Sequence, residues 1–147
     1  MSFELWQNGE YFGYVQREYE VIPYFKAYEL ACQGTGNIQI DRALAIHLPL
    51  LRHTWGKPLN VTSACRSPEH NEKVGGHPNS LHLTKNPKYS TTGCAAVDIS
   101  TRRWTEEEKK DFCALAAELG WNYGVANTFI HVDRGQDHGI SERSWTY

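Results

Sequence analysis

Residues 61–83 read VTSACRSPEHNEKVGGHPNSLHL, and the organisation of the whole chain turns on this stretch. With the preceding Leu59 and Asn60, Val61–Ser63 predicts a short strand. From Ala64 onward, two prolines, two adjacent glycines and several Ser and Asn residues break any helical or strand period. The pattern predicts a long surface loop, the kind of segment on which sites are built. Gly75, Gly76 and Pro78 are turn formers that bring this loop back on itself just before His82.

Upstream, Asp41 is a favoured N-cap for RALAIHLPLLRHTW, which predicts a helix over 42–55. Leu44, Leu48, Leu51 and Trp55 form its apolar stripe, Pro49 predicts a kink, and Gly56 and Pro58 end it. The first 26 residues, rich in Trp, Tyr and Phe, are expected to be loops and short pieces. Downstream, GCAAVDIS predicts a strand with Ala96, Asp98 and Ser100 on one face and Val97 and Ile99 on the other. Thr105 and Glu108 make a capping box for a helix that stops at Gly120. WNYGV and FIHVD read as two more short strands, and period two puts His131 and Asp133 on the same face. The expected architecture is α+β, with two helices packed on a small antiparallel sheet.

The chain has 147 residues, 15 Lys plus Arg against 17 Asp plus Glu, a formal net charge of −2, and 40% hydrophobic residues. That size suits one domain, residues 1–147, with a core of its own, and a monomer is the expectation. The balanced charge, without any basic run, argues against nucleic acid as a partner. No apolar stretch reaches the roughly 18 residues of a membrane span. MSFELWQNGEYFGYVQREYE lacks the apolar core of a signal peptide, so synthesis in the cytoplasm is expected. Cys32, Cys65, Cys94 and Cys113 are scattered and read as free thiols.

Among seven histidines, His82 and His131 stand out because each lies in a segment with its own turn or strand signal, as does Asp98. Two imidazoles and one carboxylate leave the fourth position of a tetrahedral zinc ion to water, the ligand count of a catalytic site. Zinc in such a site lowers the pKa of bound water to about 7 and polarises a carbonyl.

The ordered run VTSACRSPEHNEKVGGHPNSLHL, GCAAVDIS and FIHVDRG resembles the zinc D-alanyl-D-alanine carboxypeptidase family, over roughly residues 25–133. The resemblance implies the hedgehog/DD-peptidase fold. It implies Zn2+ held by His82, Asp98 and His131, with Arg66 binding substrate or the developing oxyanion. It also implies a peptidase acting on D-amino-acid-containing bonds of peptidoglycan stem peptides. Acting at the bacterial wall after cytoplasmic synthesis would require phage-type release or carriage in a virion.

Two departures stand out. Some relatives place a Glu three residues, or a His two residues, before the last ligand; here those positions are Thr128 and Phe129. Asp133 is the nearest carboxylate and is assigned either to accepting the proton of the zinc water or to orienting His131. The second departure is an insertion over 83–92, expected to be an exposed loop that borders the cleft without supporting the ligands. Ser80 is expected to shape the loop or hold a ligand, His77, His138, Trp145 and Tyr147 are candidates for the cleft, and Cys65 and Cys94 are expected to be buried thiols. The competing readings are a catalytically inactive, zinc-stabilised binding module of the same fold and a cysteine hydrolase using Cys65 or Cys94.

Overall fold

Phe3 and Leu5 alternate with Glu4 and Trp6, and in the computed structural model, which describes residues 2–147, this alternation builds strand β1 (Ser2–Gln7). An Asn8–Gly9 turn with φ of 51° and 77° returns the chain as β2 (Glu10–Gln16). Both turn residues carry the positive φ of a type I′ hairpin, which Asn-Gly adopts more readily than other pairs. The N-terminal segment is therefore a hairpin rather than the loops its composition suggests. Tyr11, Phe12 and Tyr14 stay exposed on β2, and this outward aromatic content blurs the period-two signal.

Two minor strands, β3 (Glu20–Ile22) and β4 (Phe25–Lys26), lead into the single turn of α1 (Ala27–Leu30). Strand β5 (Asn37–Ile40) then pairs in parallel with β1 and completes a three-stranded sheet. Helix α2 spans Arg42–Trp55, with the Asp41 carboxylate accepting from the Ala43 N–H at 3.0 Å. It runs through Pro49 as one element, and Leu44, Leu48 and Leu51 are wholly buried. At its end Trp55 stacks on Trp104 at 5.5 Å and meets the edge of Phe112 at 5.2 Å. Phe112 belongs to helix α4 (Glu106–Glu118), which starts at the Thr105–Glu108 capping box; α3 (Pro68–Lys73) is a short helix inside the segment expected to be all loop.

The second sheet positions the site. It comprises β6 (Val61–Ser63), β7 (Ala96–Ser100), β8 (Asn122–Val125), β9 (Phe129–Asp133) and β10 (Ser144–Thr146) in the order β10-β8-β9-β7-β6. All pairs are antiparallel except β10 on β8, which is parallel. Asp98 lies opposite His131 and Val97 opposite Val132, so the two faces of the β7–β9 ladder differ. Val97, Ile99, Ile130 and Val132 are fully buried in the main core beneath the long helices. Ala96, Asp98, His131 and Asp133 occupy the other face. The fold class is α+β, as the sequence implies, with two short helices, α1 and α3, beside the expected pair, and a three-stranded and a two-stranded sheet beside the expected one.

Candidate metal centre

A β7–β9 pair with Asp98 directly across from His131 brings a carboxylate and an imidazole together by register alone. His82 comes from the loop that follows α3. The ring atoms of His82 and His131 and the Asp98 carboxylate all offer a ligand atom within 4.8 Å of one another. All three residues are buried, with the two rings edge to face at 5.1 Å. No other group of three or more His, Cys, Asp or Glu side chains among the described residues comes together in this way.

The tautomers are set from behind. His82 Nδ1 lies 2.7 Å from the Ala64 carbonyl oxygen, which only accepts, so Nδ1 carries the proton. Burial lowers the His82 pKa more than Asp98 raises it, so the ring is neutral and Nε2 keeps its lone pair. That lone pair faces Asp98 Oδ1 at 3.1 Å. Two electron-rich atoms in contact away from water are unfavourable unless a cation lies between them, and this is the observation that fits a metal ion to the site.

His131 has the same logic. Its Nδ1 lies 3.0 Å from Asp98 Oδ1 and its Nε2 2.8 Å from Asp133 Oδ2, an imidazole bridging two carboxylates. Burial would lower the His131 pKa, but the hydrogen bonds to Asp133 and Asp98 raise it to about 9. Burial would likewise raise the Asp98 carboxyl, and the His131 and His82 rings beside it, His131 foremost, instead hold it well below the usual carboxylate range. Asp133 Oδ1 accepts from the Gly135 N–H at 2.8 Å, so both oxygens of this buried carboxylate are engaged. A His whose outer nitrogen donates to a carboxylate is the usual arrangement behind a metal ligand.

Arg66 is locked beside this cluster. Its Nε donates to Ser63 Oγ at 3.2 Å, one Nη to Asn71 Oδ1 at 3.3 Å, and the other to Asp98 Oδ2 at 3.3 Å. A guanidinium has five N–H groups, which leaves one on each Nη uncommitted. Asn71, buried, also donates to the His77 carbonyl at 2.9 Å. A Cβ on Gly76 would sit 2.1 Å from Asn71 Oδ1 and 3.0 Å from an Arg66 Nη, which is why this turn requires glycine. Ser80 Oγ accepts from the His82 N–H at 3.1 Å and so shapes the turn that carries His82.

The site opens into a cleft of about 640 Å³ whose walls include Arg66, His77, Lys88, Phe129, Arg143, Trp145 and Tyr147. Trp145 lies 5.5 Å from the His131 ring, and a Cβ on Gly124 would fall 2.3 Å from its indole, so strand β8 admits this tryptophan only as glycine. Of the other candidates, His77, Trp145 and Tyr147 reach the cleft. His138 instead meets Asp41 Oδ2 at 3.0 Å, beneath the start of α2. Cys65 and Cys94 are buried against each other, Sγ to Sγ 3.3 Å, and burial pushes the Cys94 thiol well up; neither lines the cleft. Sequence reasoning missed the Ala64 carbonyl, which carries no side-chain signal, and the cleft positions of Lys88 and Arg143.

No curated protein matches the chain. Residues 23–133 match the family described as Peptidase M15, a span that contains Arg66, His82, Asp98, His131 and Asp133. With three-quarters of its length under that match and a buried His-Asp-His cluster at the mouth of a cleft, the chain belongs to peptidase family M15.

Proposed function

We propose that the protein is a zinc-dependent metallopeptidase that hydrolyses a D-amino-acid-containing peptide bond in peptidoglycan stem peptides, with residues 1–147 acting as one catalytic domain. The observation that carries this reading is the His82 Nε2, Asp98 and His131 Nδ1 cluster, buried yet open to a cleft that Arg66 shares. A zinc ion held by these three groups supplies Lewis acidity and a water acidic enough to attack at neutral pH. Arg66, pinned by Ser63, Asn71 and Asp98, offers its two free N–H groups to the carbonyl oxygen as negative charge develops there. Preorganised donors of this kind lower the barrier because they need no rearrangement in the transition state. Asp133 orients His131 from behind, and the Ala64 carbonyl does the same for His82. The proposed site of action is the bacterial wall.

One observation favours a second reading, a metal-stabilised module without catalysis: both carboxylates of the cleft are already committed, Asp98 to the imidazoles and Arg66, Asp133 to His131 and Gly135. Metal analysis together with mass spectrometry of digested muropeptides separates the two. One zinc per chain and a defined set of cleaved peptides, abolished in His131→Ala, is the result expected of the peptidase. Stoichiometric zinc with intact muropeptides assigns the module, and a protein that takes up no zinc overturns both.

A further inference from the structure

Two thiols meet where the segments flanking the metal site join the N-terminal sheet. Cys65 Sγ and Cys94 Sγ lie 3.3 Å apart, and both residues are buried in the main core. The Gln39 carbonyl at the end of β5 is the hub of this contact, accepting from the Cys94 N–H at 2.7 Å and from the Cys65 thiol at 3.6 Å. Gly93 permits the approach, because a Cβ there would fall 2.4 Å from the Gln39 oxygen. The backbone is held on both sides as well. The Cys65 N–H donates to the Leu30 carbonyl at 3.1 Å, the Cys94 carbonyl accepts from the Asp41 N–H at 2.9 Å, and the Ala95 N–H donates to the Leu81 carbonyl at 2.7 Å.

Neither thiol is spent on the chemistry of the cleft. Both lie outside its lining, and among the described residues no third His, Cys, Asp or Glu joins them in a metal-binding group. As thiols they contribute little, since S–H is a weak donor and sulfur a weak acceptor. A disulfide requires about 2.05 Å between the sulfurs, so each must move by roughly 0.6 Å, with the backbone already fixed in place. The bond would close a loop between residues 29 apart in sequence, and that loop contains α3, the turn that delivers His82 and the inserted segment.

We propose that Cys65 and Cys94 are a latent disulfide, open where thiols are kept reduced and closed where a disulfide oxidant such as glutathione disulfide is present. One cysteine thiolate attacks a sulfur of the oxidant and releases a glutathione thiolate. The other attacks the protein sulfur of the resulting mixed disulfide and releases the second. Two protein thiols thereby lose two protons and two electrons, and one glutathione disulfide becomes two glutathione thiols. Because both sulfurs are buried, exchange runs during folding or local opening, and burial afterwards shields the bond from reductant. The cross-link restricts the unfolded chain, and a loop of this length is expected to raise Tm by about 5 to 10 °C in a chain of this size. That gain is independent of whether the protein is a peptidase.

The test unfolds the full chain with a chelator present and refolds it in two buffers, one with reduced glutathione alone and one with a mixture of reduced and oxidised glutathione. Free thiols are counted by alkylation, and the bridge is located by mass spectrometry of peptides cut without reduction. Four free thiols are expected in the first sample. The second should show a linked pair of peptides carrying Cys65 and Cys94, a Tm about 5 to 10 °C above the first, and loss of both after reduction under denaturing conditions and refolding. Cys32→Ala combined with Cys113→Ala should keep the bridge and the Tm gap, and Cys94→Ala should lose both, whatever its own Tm. Should Cys94→Ala fail to fold, the peptide map of the wild-type chain still decides. Cysteines 65 and 94 unlinked in both samples, a bridge that uses Cys32 or Cys113, or a bridged chain no more stable than the reduced one overturns the proposal.

Discussion

The contact between His131 and Asp133 decides how each of them is used. An imidazole that bridges two buried carboxylates is positioned on both sides, and Asp133 already accepts on each of its oxygens, from His131 on Oδ2 and from the Gly135 N–H on Oδ1. Replacing Asp133 by Asn removes the charge that makes His131 a strong donor while leaving a similar shape. Loss of such a partner costs about 10- to 100-fold in metal affinity or activity. Asp133→Asn is therefore expected to bind zinc about tenfold more weakly, yet to recover most of its kcat with an unshifted acid limb in the pH–rate profile once saturated. A zinc-saturated variant that stays inactive would make Asp133 the proton acceptor. The letters H, D and H were legible in the sequence because each sits in a short segment with its own turn or strand signal. The partners that set the tautomers were legible only in part, since Asp133 follows from period two whereas a backbone carbonyl such as that of Ala64 leaves no mark in a string of side chains.

Among the elements, the two long helices were readable because both their ends are written in side chains: Asp41 and Gly56 for α2, Thr105 with Glu108 and then Gly120 for α4. Strand β10 was not, because it is three residues long, half exposed, and recognisable only through the space that Gly124 leaves for Trp145. The inserted loop is the element whose reading changes most. Its residues are exposed turn formers, which suggests indifference to the metal, but Asn86 spans from the insertion to Asn79 and Ser80, two to three residues from His82. Asn86→Ala removes four hydrogen bonds at a half-buried site, each worth about 1 kcal/mol net. The expected outcome is faster proteolytic nicking within 85–91 and weaker zinc binding, by about tenfold, with the helices unchanged by circular dichroism. Equal zinc affinity in wild type and variant would return the insertion to the role of a passive loop.

The candidate ligands sit on three separate pieces, the loop after α3, strand β7 and strand β9, so a bound metal ion would add a link between parts that backbone hydrogen bonds and the core already join. The end of β5 in the three-stranded N-terminal sheet is tied to the segment just before β7 by the bond from the Asp41 N–H to the Cys94 carbonyl at 2.9 Å and from the Cys94 N–H to the Gln39 carbonyl at 2.7 Å. Binding to the folded state alone adds about 2.7 kcal/mol at a free metal concentration one hundred times Kd, which for a chain of this size is about 5 to 10 °C in Tm. The proton on His131 gives this gain a pH dependence of defined sign. In the metal-free protein the folded pKa of about 9 lies above the ordinary histidine value of 6.5, so the stability it contributes is complete below pH 6.5 and is lost as pH rises through 9. Zinc must displace that proton from Nδ1, so its affinity rises with pH over the same window, by up to about tenfold per unit. The two are one proton seen from both sides, since the loaded protein has already released what the metal-free protein loses as pH rises. Differential scanning calorimetry at fixed free zinc should therefore show the gap between zinc-loaded and metal-free Tm widening from pH 6.5 to pH 8, and His131→Gln should lose both the gap and its slope. A gap that narrows with pH would mean that His131 is not the proton-coupled ligand, and that the bridge between Asp98 and Asp133 persists in the loaded protein.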